Sequence, residues 1–261
     1  MEYEISSPAN DRVKRLVTLR DRKHRDRERL FPVEEKRIVE RAASTGHRPV
    51  EVYWCPDLMA HPPTSNVTPV SMSVDALQRA SYRSSPEGSI SLFSYLPTGL
   101  DRVQKEPGSL LLIAEGLEKP GNLGAMLRVA DAAGVAALIV VDGKVDPFNP
   151  NVVRASTGAV FTVPVVITSM APVKTWLKNG QFKSVAGVAG SGNFLWDVDL
   201  SGRLAIWVGS EAPGLSPEAL GFADELVSIP MNGATDSLNV SVSAGVLIFE
   251  AVRQRRPDQT A

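Results

Sequence analysis

Leu110-Leu111-Leu112-Ile113-Ala114 and Ala137-Leu138-Ile139-Val140-Val141 decide the fold. Each is a short, wholly apolar run without polar alternation, so both faces of each strand must be covered. Between them residues 123–133 read as a helix, and the same rhythm continues downstream. Strands are expected at 160–166, 182–188, 204–208 and 225–229, and helices at 172–178, 217–222 and 240–255. Buried strands alternating with helices predict an α/β domain in which a mostly parallel sheet lies between helices.

Upstream of Leu110 the pattern differs. Residues 11–30 read as one helix, with Val13, Leu16 and Val17 on an apolar stripe and Arg22, Arg25 and Arg29 on another face. A strand start at 31–33, a helix at 34–44, strands at 50–54, 70–73 and 89–95 (the last alternating) and a helix from 74 to about 82 complete a small α/β unit. Residues 97–108 hold two prolines, two glycines and four charged residues, a linker composition. The chain therefore divides into a domain over 1–100, a linker at 101–108 and a domain over 109–261, with the tail 256–261 expected to fray.

Composition narrows the function classes. The 261 residues are 43% hydrophobic and 22% charged, as in globular proteins. No apolar run approaches the length of a membrane span, and the acidic, polar N-terminus lacks the features of a signal peptide. A lone cysteine, Cys55, permits no internal disulfide and points to the cytoplasm. Net charge is −1, but residues 12–29 carry nine basic against three acidic side chains. That element is either a phosphate-binding face or a solvated helix with internal ion pairs. The three histidines (His24, His47, His61) all lie in the first quarter, which argues against a histidine-based triad or a zinc site downstream; no metal is expected. Gly190-Ser191-Gly192 follows a strand, but the third glycine of a dinucleotide fingerprint would fall on Leu195.

Three segments carry chemistry. In 115–128 a strand ends, a Pro-Gly turn follows and a helix opens, with Asn122 expected as its N-cap and Gly121 and Gly124 allowing close approach. Arg128 falls among Ala, Met, Leu and Val, where it needs an anionic partner. In 206–216 a strand runs into Gly209-Ser210-Glu211 and Pro213-Gly214, at a strand end where open α/β sheets bind ligands. In 229–245 a loop dense in hydrogen-bonding side chains leads into an apolar helix. Asp236, Ser237 and Asn239 crowd its start, where capping alone needs one.

Taken in order, Asn122/Gly124/Arg128, Gly209-Ser210-Glu211 with Gly214-Leu215, and Ser237 through Ser243 resemble the SpoU family of knotted (SPOUT) methyltransferases, over roughly residues 110–255. Ser6 to Leu16 and Arg25 to Glu34 resemble that family's substrate-binding domain, which is similar to a small ribosomal protein. Glu35 stands where a glycine is common, and Lys119 where an acid is frequent. The resemblance implies a C-terminal trefoil knot that binds S-adenosylmethionine. Gly209, Ser210, Gly214, Ile229, Met231, Leu238 and Asn239 would line the donor pocket. It implies a homodimer with the active site at the interface. Arg128 would face the phosphate or 2′-hydroxyl of the target nucleotide, Asn122, Ser237 and Asn239 would hold the site, and Glu211 would organise the region of Arg128. Whether Arg128 acts as base or as phosphate positioner stays open.

The implied reaction is methylation of a ribose 2′-hydroxyl in RNA. The separate N-terminal domain favours ribosomal RNA over transfer RNA, and enzymes that protect against ribosome-targeting antibiotics share this layout. A non-catalytic RNA-binding or ribosome-assembly protein is the alternative from another class. Beside such a domain the basic segment reads as an RNA contact through Lys14, Arg15, Arg22, Lys23 and Arg25, to which Arg154 is added.

Overall fold

The structure is a computed structural model that describes residues 3–255; the tail 256–261 lies outside the described residues. In chain order the strands are β1 (Leu30–Val33), β2 (Glu51–Trp54), β3 (Val70–Ser71), β4 (Ser89–Ser94), β5 (Leu110–Glu115), β6 (Ala137–Val141), β7 (Val165–Thr168), β8 (Lys183–Gly187), β9 (Leu204–Gly209) and β10 (Glu225–Val227). The helices are α1 (Asp11–Thr18), α2 (Arg22–Glu28), α3 (Lys36–Ser44), α4 (Val74–Ala80), α5 (Pro120–Ala133), α6 (Pro150–Ala155), α7 (Met170–Asn179), α8 (Pro217–Phe222) and α9 (Val240–Arg255). The chain forms two units. One holds the chain up to Leu96 together with Asp146–Thr162; the other holds Pro97–Val145 and the chain from Val163 onward.

In the first unit a four-stranded sheet runs β1-β4-β2-β3, with β4 antiparallel to both its neighbours. β4 is buried along nearly all its length instead of alternating, because both faces of the sheet are covered. Ile90 and Leu92 join Val13, Leu16, Tyr53, Met72 and Leu77 in one core. Phe93 belongs to a separate aromatic cluster with Phe31, its register partner, and with Phe148 and Phe161. Those two phenylalanines come from 146–162, which the sequence reading assigned to the second domain. The strand expected at 160–166 accordingly starts only at Val165; Ala159, Val160 and Phe161 form a short 3-10 turn instead. α6 was not anticipated, although its signal is local: Asn149 accepts from the Asn151 N–H and Pro150 takes the first turn. Gly158, at φ +89°, lets this segment pass Ile38 and Arg41 of α3, a backbone conformation that disfavours side chains.

The helix expected over 11–30 is two helices. α1 stops at Thr18, and the Arg25 guanidinium donates to the carbonyl oxygens of Leu19 and Arg20, at 2.8 and 2.6 Å. The last carbonyls of α1 are met by the backbone N–H groups of Leu19, Arg20 and Asp21, and the arginine takes the two carbonyls that follow. Arg25 also pairs with Asp146 Oδ2 at 2.5 Å, with the two side chains 1% and 8% exposed. It therefore does not share a solvent face with Arg22 and Arg29.

The second unit is a six-stranded, wholly parallel sheet of order β10-β8-β9-β5-β6-β7. The two apolar runs pair as neighbours, Leu111 opposite Ala137 through Glu115 opposite Val141. On one face Met170, Val173 and Leu177 of α7 and Ala219 of α8 pack with Leu111, Ile113, Ile139 and the fully buried Trp207. α5 and α9 pack against each other, α5 also against β6 and α9 against β9. Among the described residues no helix is long and apolar enough to cross a membrane.

Candidate functional site

The carboxyl ends of β8, β9 and β10 open into a cavity of about 360 Å³. This is where parallel α/β sheets gather ligands, because the strand-to-helix loops diverge there. Its wall is built from three stretches that meet only in the fold: the end of β8 at Gly187 and Val188, the loop after β9 from Gly209 to Leu215, and the segment from Ile229 to Leu238 leading into α9. A Cβ on Gly209 would lie 2.2 Å from the Gly214 carbonyl carbon and 2.3 Å from the Leu215 nitrogen, so the loop can fold back on the strand only over a glycine. The buried Glu115, last residue of β5, accepts the Ser216 N–H at 2.8 Å and pins the other end of that loop. Gly209, Ser210, Gly214, Ile229, Met231 and Leu238 all line the cavity, together with Glu211 and Ser237.

At its rim the three sequence segments are joined by one polar cluster. Asn239 Nδ2 donates to Asn122 Oδ1 at 3.2 Å and to Glu211 Oε1 at 3.0 Å, and Asn122 Nδ2 reaches Glu211 Oε1 at 3.5 Å. Lys119 Nζ donates to Glu211 Oε2 and forms an ion pair with it. Asn239 also caps α9, its Oδ1 accepting from the Ser241 N–H at 2.9 Å and from the Ser241 hydroxyl at 2.6 Å. The N-cap of α5 is Lys119, with Pro120 in the first turn; Asn122 lies inside the helix, which frees its amide for the cluster. Glu115, Lys119 and the end of β8 were not anticipated as site residues. Lys119 had a signal in its departure from the family's acid. Glu115 and β8 had none, because their roles depend on which strands become neighbours.

Hydrogen bonds from Lys119, then from Asn122, hold the Glu211 carboxyl below the usual carboxylate range. A group whose folded pKa is lowered stabilises its surroundings above the unfolded pKa and loses that contribution as pH falls through the folded value. The cluster is therefore expected to be fully formed at neutral pH and to open only in acid. Carbon-detected NMR titration of the Glu211 side chain should give a midpoint below that of a free glutamate, moving upward in Lys119→Ala; an unchanged midpoint in that variant would remove Lys119 from the cluster.

Several expectations are corrected by the geometry. Arg128 is exposed on α5, not enclosed by apolar side chains, and so requires no buried counter-charge; it is not among the residues lining the cavity. Glu211 engages Lys119, Asn122 and Asn239, and has no bond to Arg128 among the described residues. In the basic N-terminal segment Arg25 is buried on Asp146 and cannot meet a phosphate. Arg15 is half-buried, donates to Glu28 and Glu51, and is held protonated by them, Glu51 foremost. Lys14 pairs with Asp11 and Arg22 with Asp26, whereas Lys23 and Arg154 are exposed. The excess charge of 12–29 is thus largely met by carboxylates that are distant in sequence or placed one helical turn away.

Residues 109–249 match the sequence model of the SpoU rRNA Methylase family, and residues 10–91 that of the MRM3-like substrate binding domain. The 23S rRNA (guanosine-2'-O-)-methyltransferase RlmB of Vibrio vulnificus is 44% identical over 161 residues, which are 61% of this chain and 65% of that protein. The match therefore spans slightly less than two thirds of that relative's length. A crystal structure of an RNA 2'-O ribose methyltransferase aligns with a TM-score of 0.85 at 40% identity, covering 96% of this chain and 98% of the other. The AdoMet-bound rRNA methyltransferase from Sinorhizobium meliloti aligns with a TM-score of 0.88 at 26% identity, over 97% of this chain and 98% of the other.

Proposed function

Because this chain belongs to the SpoU rRNA Methylase family, we propose that its cavity takes S-adenosylmethionine and that it methylates a ribose 2′-hydroxyl of RNA, in the first instance of 23S ribosomal RNA. The observation that carries this reading is the charge of the cavity. Its lining includes two carboxylates, Glu211 and Asp236, and no lysine, arginine or histidine. Glu211 is shared with Lys119 at the rim, and Asp236 leaves the lining acidic, which complements a cationic sulfonium better than a phosphate-bearing cofactor. Val188, Leu215, Ile229, Leu238 and Leu247 offer an apolar slot for an aromatic ring, and loop backbone supplies hydrogen bonds, as small-molecule sites generally do.

The donor, when bound, supplies an activated methyl group. What remains for this chain is to position the ribose and accept or stabilise the leaving proton. Asn122 and Asn239, locked together and onto Glu211, present a rigid polar rim on which a ribose can be oriented. Ser237, exposed on the cavity wall, adds a hydroxyl beside it. Arg128 provides the cation that the cavity lacks, and we assign it to the phosphate or 2′-oxygen of the target nucleotide.

Placing Arg128 at a cavity it does not line calls for a second protomer, and the surface of α9 supports one. Val242 and Phe249 are 50% and 48% exposed, and Val246 lies between them at helical spacing, giving an apolar stripe beside α5. We propose a homodimer through this face. Phe249→Asp is expected to convert the protein to a monomer in sedimentation velocity and to abolish methyl transfer. A variant that stays dimeric would displace the interface from α9. The trefoil knot belongs to the same proposal, supported by β8 lying between β9 and β10 in the sheet and by α9 returning over β9. A cytoplasmic location is part of it too, since ribosomal RNA is the substrate.

The direct test is transfer of labelled methyl from S-adenosylmethionine to 23S rRNA, read as an alkali-resistant phosphodiester next to the modified ribose. Guanosine positions, named for the Vibrio vulnificus relative, come first. Label appearing only in transfer RNA would reassign the substrate, and label in neither, with no donor binding by calorimetry, would leave a non-catalytic RNA-binding protein.

A further inference from the structure

Arg15 and Arg25 of the basic segment are taken up by carboxylates, and a different surface of the first unit has the chemistry to hold RNA. Tyr82 is 41% exposed, yet it is fixed at both ends. Its backbone N–H donates to the buried Glu34 at 2.5 Å, and its hydroxyl accepts from Asn151 Nδ2 at 2.9 Å. The same Asn151 side chain accepts through Oδ1 from Arg154 Nη2 at 3.1 Å. One amide thus holds an exposed aromatic ring and an exposed guanidinium side by side. The neighbouring Arg83 is occupied by Glu35 and Glu87, at 3.3 and 2.7 Å. Arg154 has no carboxylate partner among the described residues, so its charge is available.

We propose that Tyr82, Asn151 and Arg154 form a subsite for one unpaired nucleotide of the RNA, its base stacked on the Tyr82 ring and its phosphate on the Arg154 guanidinium. The proposal rests on the reading above that RNA is the substrate. With its hydroxyl engaged and 41% of its surface open to solvent, the Tyr82 residue offers a platform for a base. Unstacked bases are recognised on aromatic side chains, with arginine at the backbone, whereas bases inside a duplex cannot reach such a ring. Because both groups are held in the free protein, little side-chain freedom is lost on binding. The subsite is also composite: Tyr82 belongs to the N-terminal sequence, and Asn151 and Arg154 to α6.

The test uses the full-length protein and a fluorescently labelled single-stranded RNA, followed by anisotropy across a salt series. Tyr82→Ala is expected to weaken binding about tenfold or more, while Tyr82→Phe, which keeps the ring, stays within about threefold of the wild type. Arg154→Gln should weaken binding and reduce the slope of log affinity against log salt by about 0.7, the loss of one single-strand phosphate contact. Equal losses in Tyr82→Ala and Tyr82→Phe would overturn stacking, and an unchanged salt slope in Arg154→Gln would overturn the phosphate contact. Calorimetry with S-adenosylmethionine on the same variants separates the two levels. Donor binding with wild-type RNA affinity in every variant refutes this subsite alone. A wild-type protein that binds neither donor nor RNA refutes the functional reading and the subsite with it.

Discussion

Asp146→Ala is expected to destabilise the N-terminal unit by about 3–5 kcal/mol, because it strands the Arg25 guanidinium in the interior without its counter-charge. Arg25 is 1% exposed, and its remaining contacts are the Leu19 and Arg20 carbonyls, which cannot neutralise it. Asp146 also accepts the Phe148 N–H at 2.9 Å, so its removal loosens the segment that delivers Phe148 and Phe161 to the aromatic cluster. For a unit of this size the loss corresponds to a fall of roughly 10–20 °C in its melting temperature. Differential scanning calorimetry of the intact chain would show it in the transition of that unit. The double variant Arg25→Met/Asp146→Leu is expected to recover most of the loss, since an apolar pair of similar volume removes both charges. A single variant that melts with the wild type would mean that the guanidinium escapes to water, and the account of the α1–α2 break would fall with it.

Arg128→Ala is expected to lower the rate of methyl transfer by about 10²–10³-fold, the usual effect of deleting one preorganised electrostatic contact to a reacting centre. S-adenosylmethionine affinity should be unchanged, because Arg128 does not line the cavity. Calorimetry and single-turnover methylation on the same preparation would separate the two. Arg128→Lys distinguishes the open roles. If the side chain holds a phosphate, lysine retains the charge and part of the rate, with the same pH dependence. If it removes the proton, a lysine of ordinary pKa near 10.4 should change the alkaline limb of the rate profile. Mixing Arg128→Ala with a cavity-inactive Asn239→Ala variant tests the partner's contribution: heterodimers with one intact composite site should regain activity above either parent. Full activity in Arg128→Ala would refute the assignment outright.

Leu110 through Ala114 and Ala137 through Val141 declared a buried parallel sheet because a strand covered on both faces has no use for polar residues, whatever its neighbours. Gly209 and Gly214 marked the tight turn at the cavity for an equally local reason: the backbone leaves no room for a Cβ at Gly209, and Gly214 sits at φ +88°. Errors arose where a residue's state depends on a distant partner. Ser89 through Ser94 looked half-exposed until the second face of its sheet was found covered. Asn122 looked like a cap, yet its amide is claimed by Asn239 and Glu211.

The sequence alone therefore determined the α/β architecture of the second unit and the three polar segments of the candidate site, since periodicity, turns and capping act over a few residues. Tertiary structure alone decided that those segments meet on Glu211, that Arg25 is a buried strut, and that 146–162 completes the first unit. Charge compensation and burial are set by which surfaces come together, and residues 121 positions apart, such as Arg25 and Asp146, carry no mark of each other until the chain has folded.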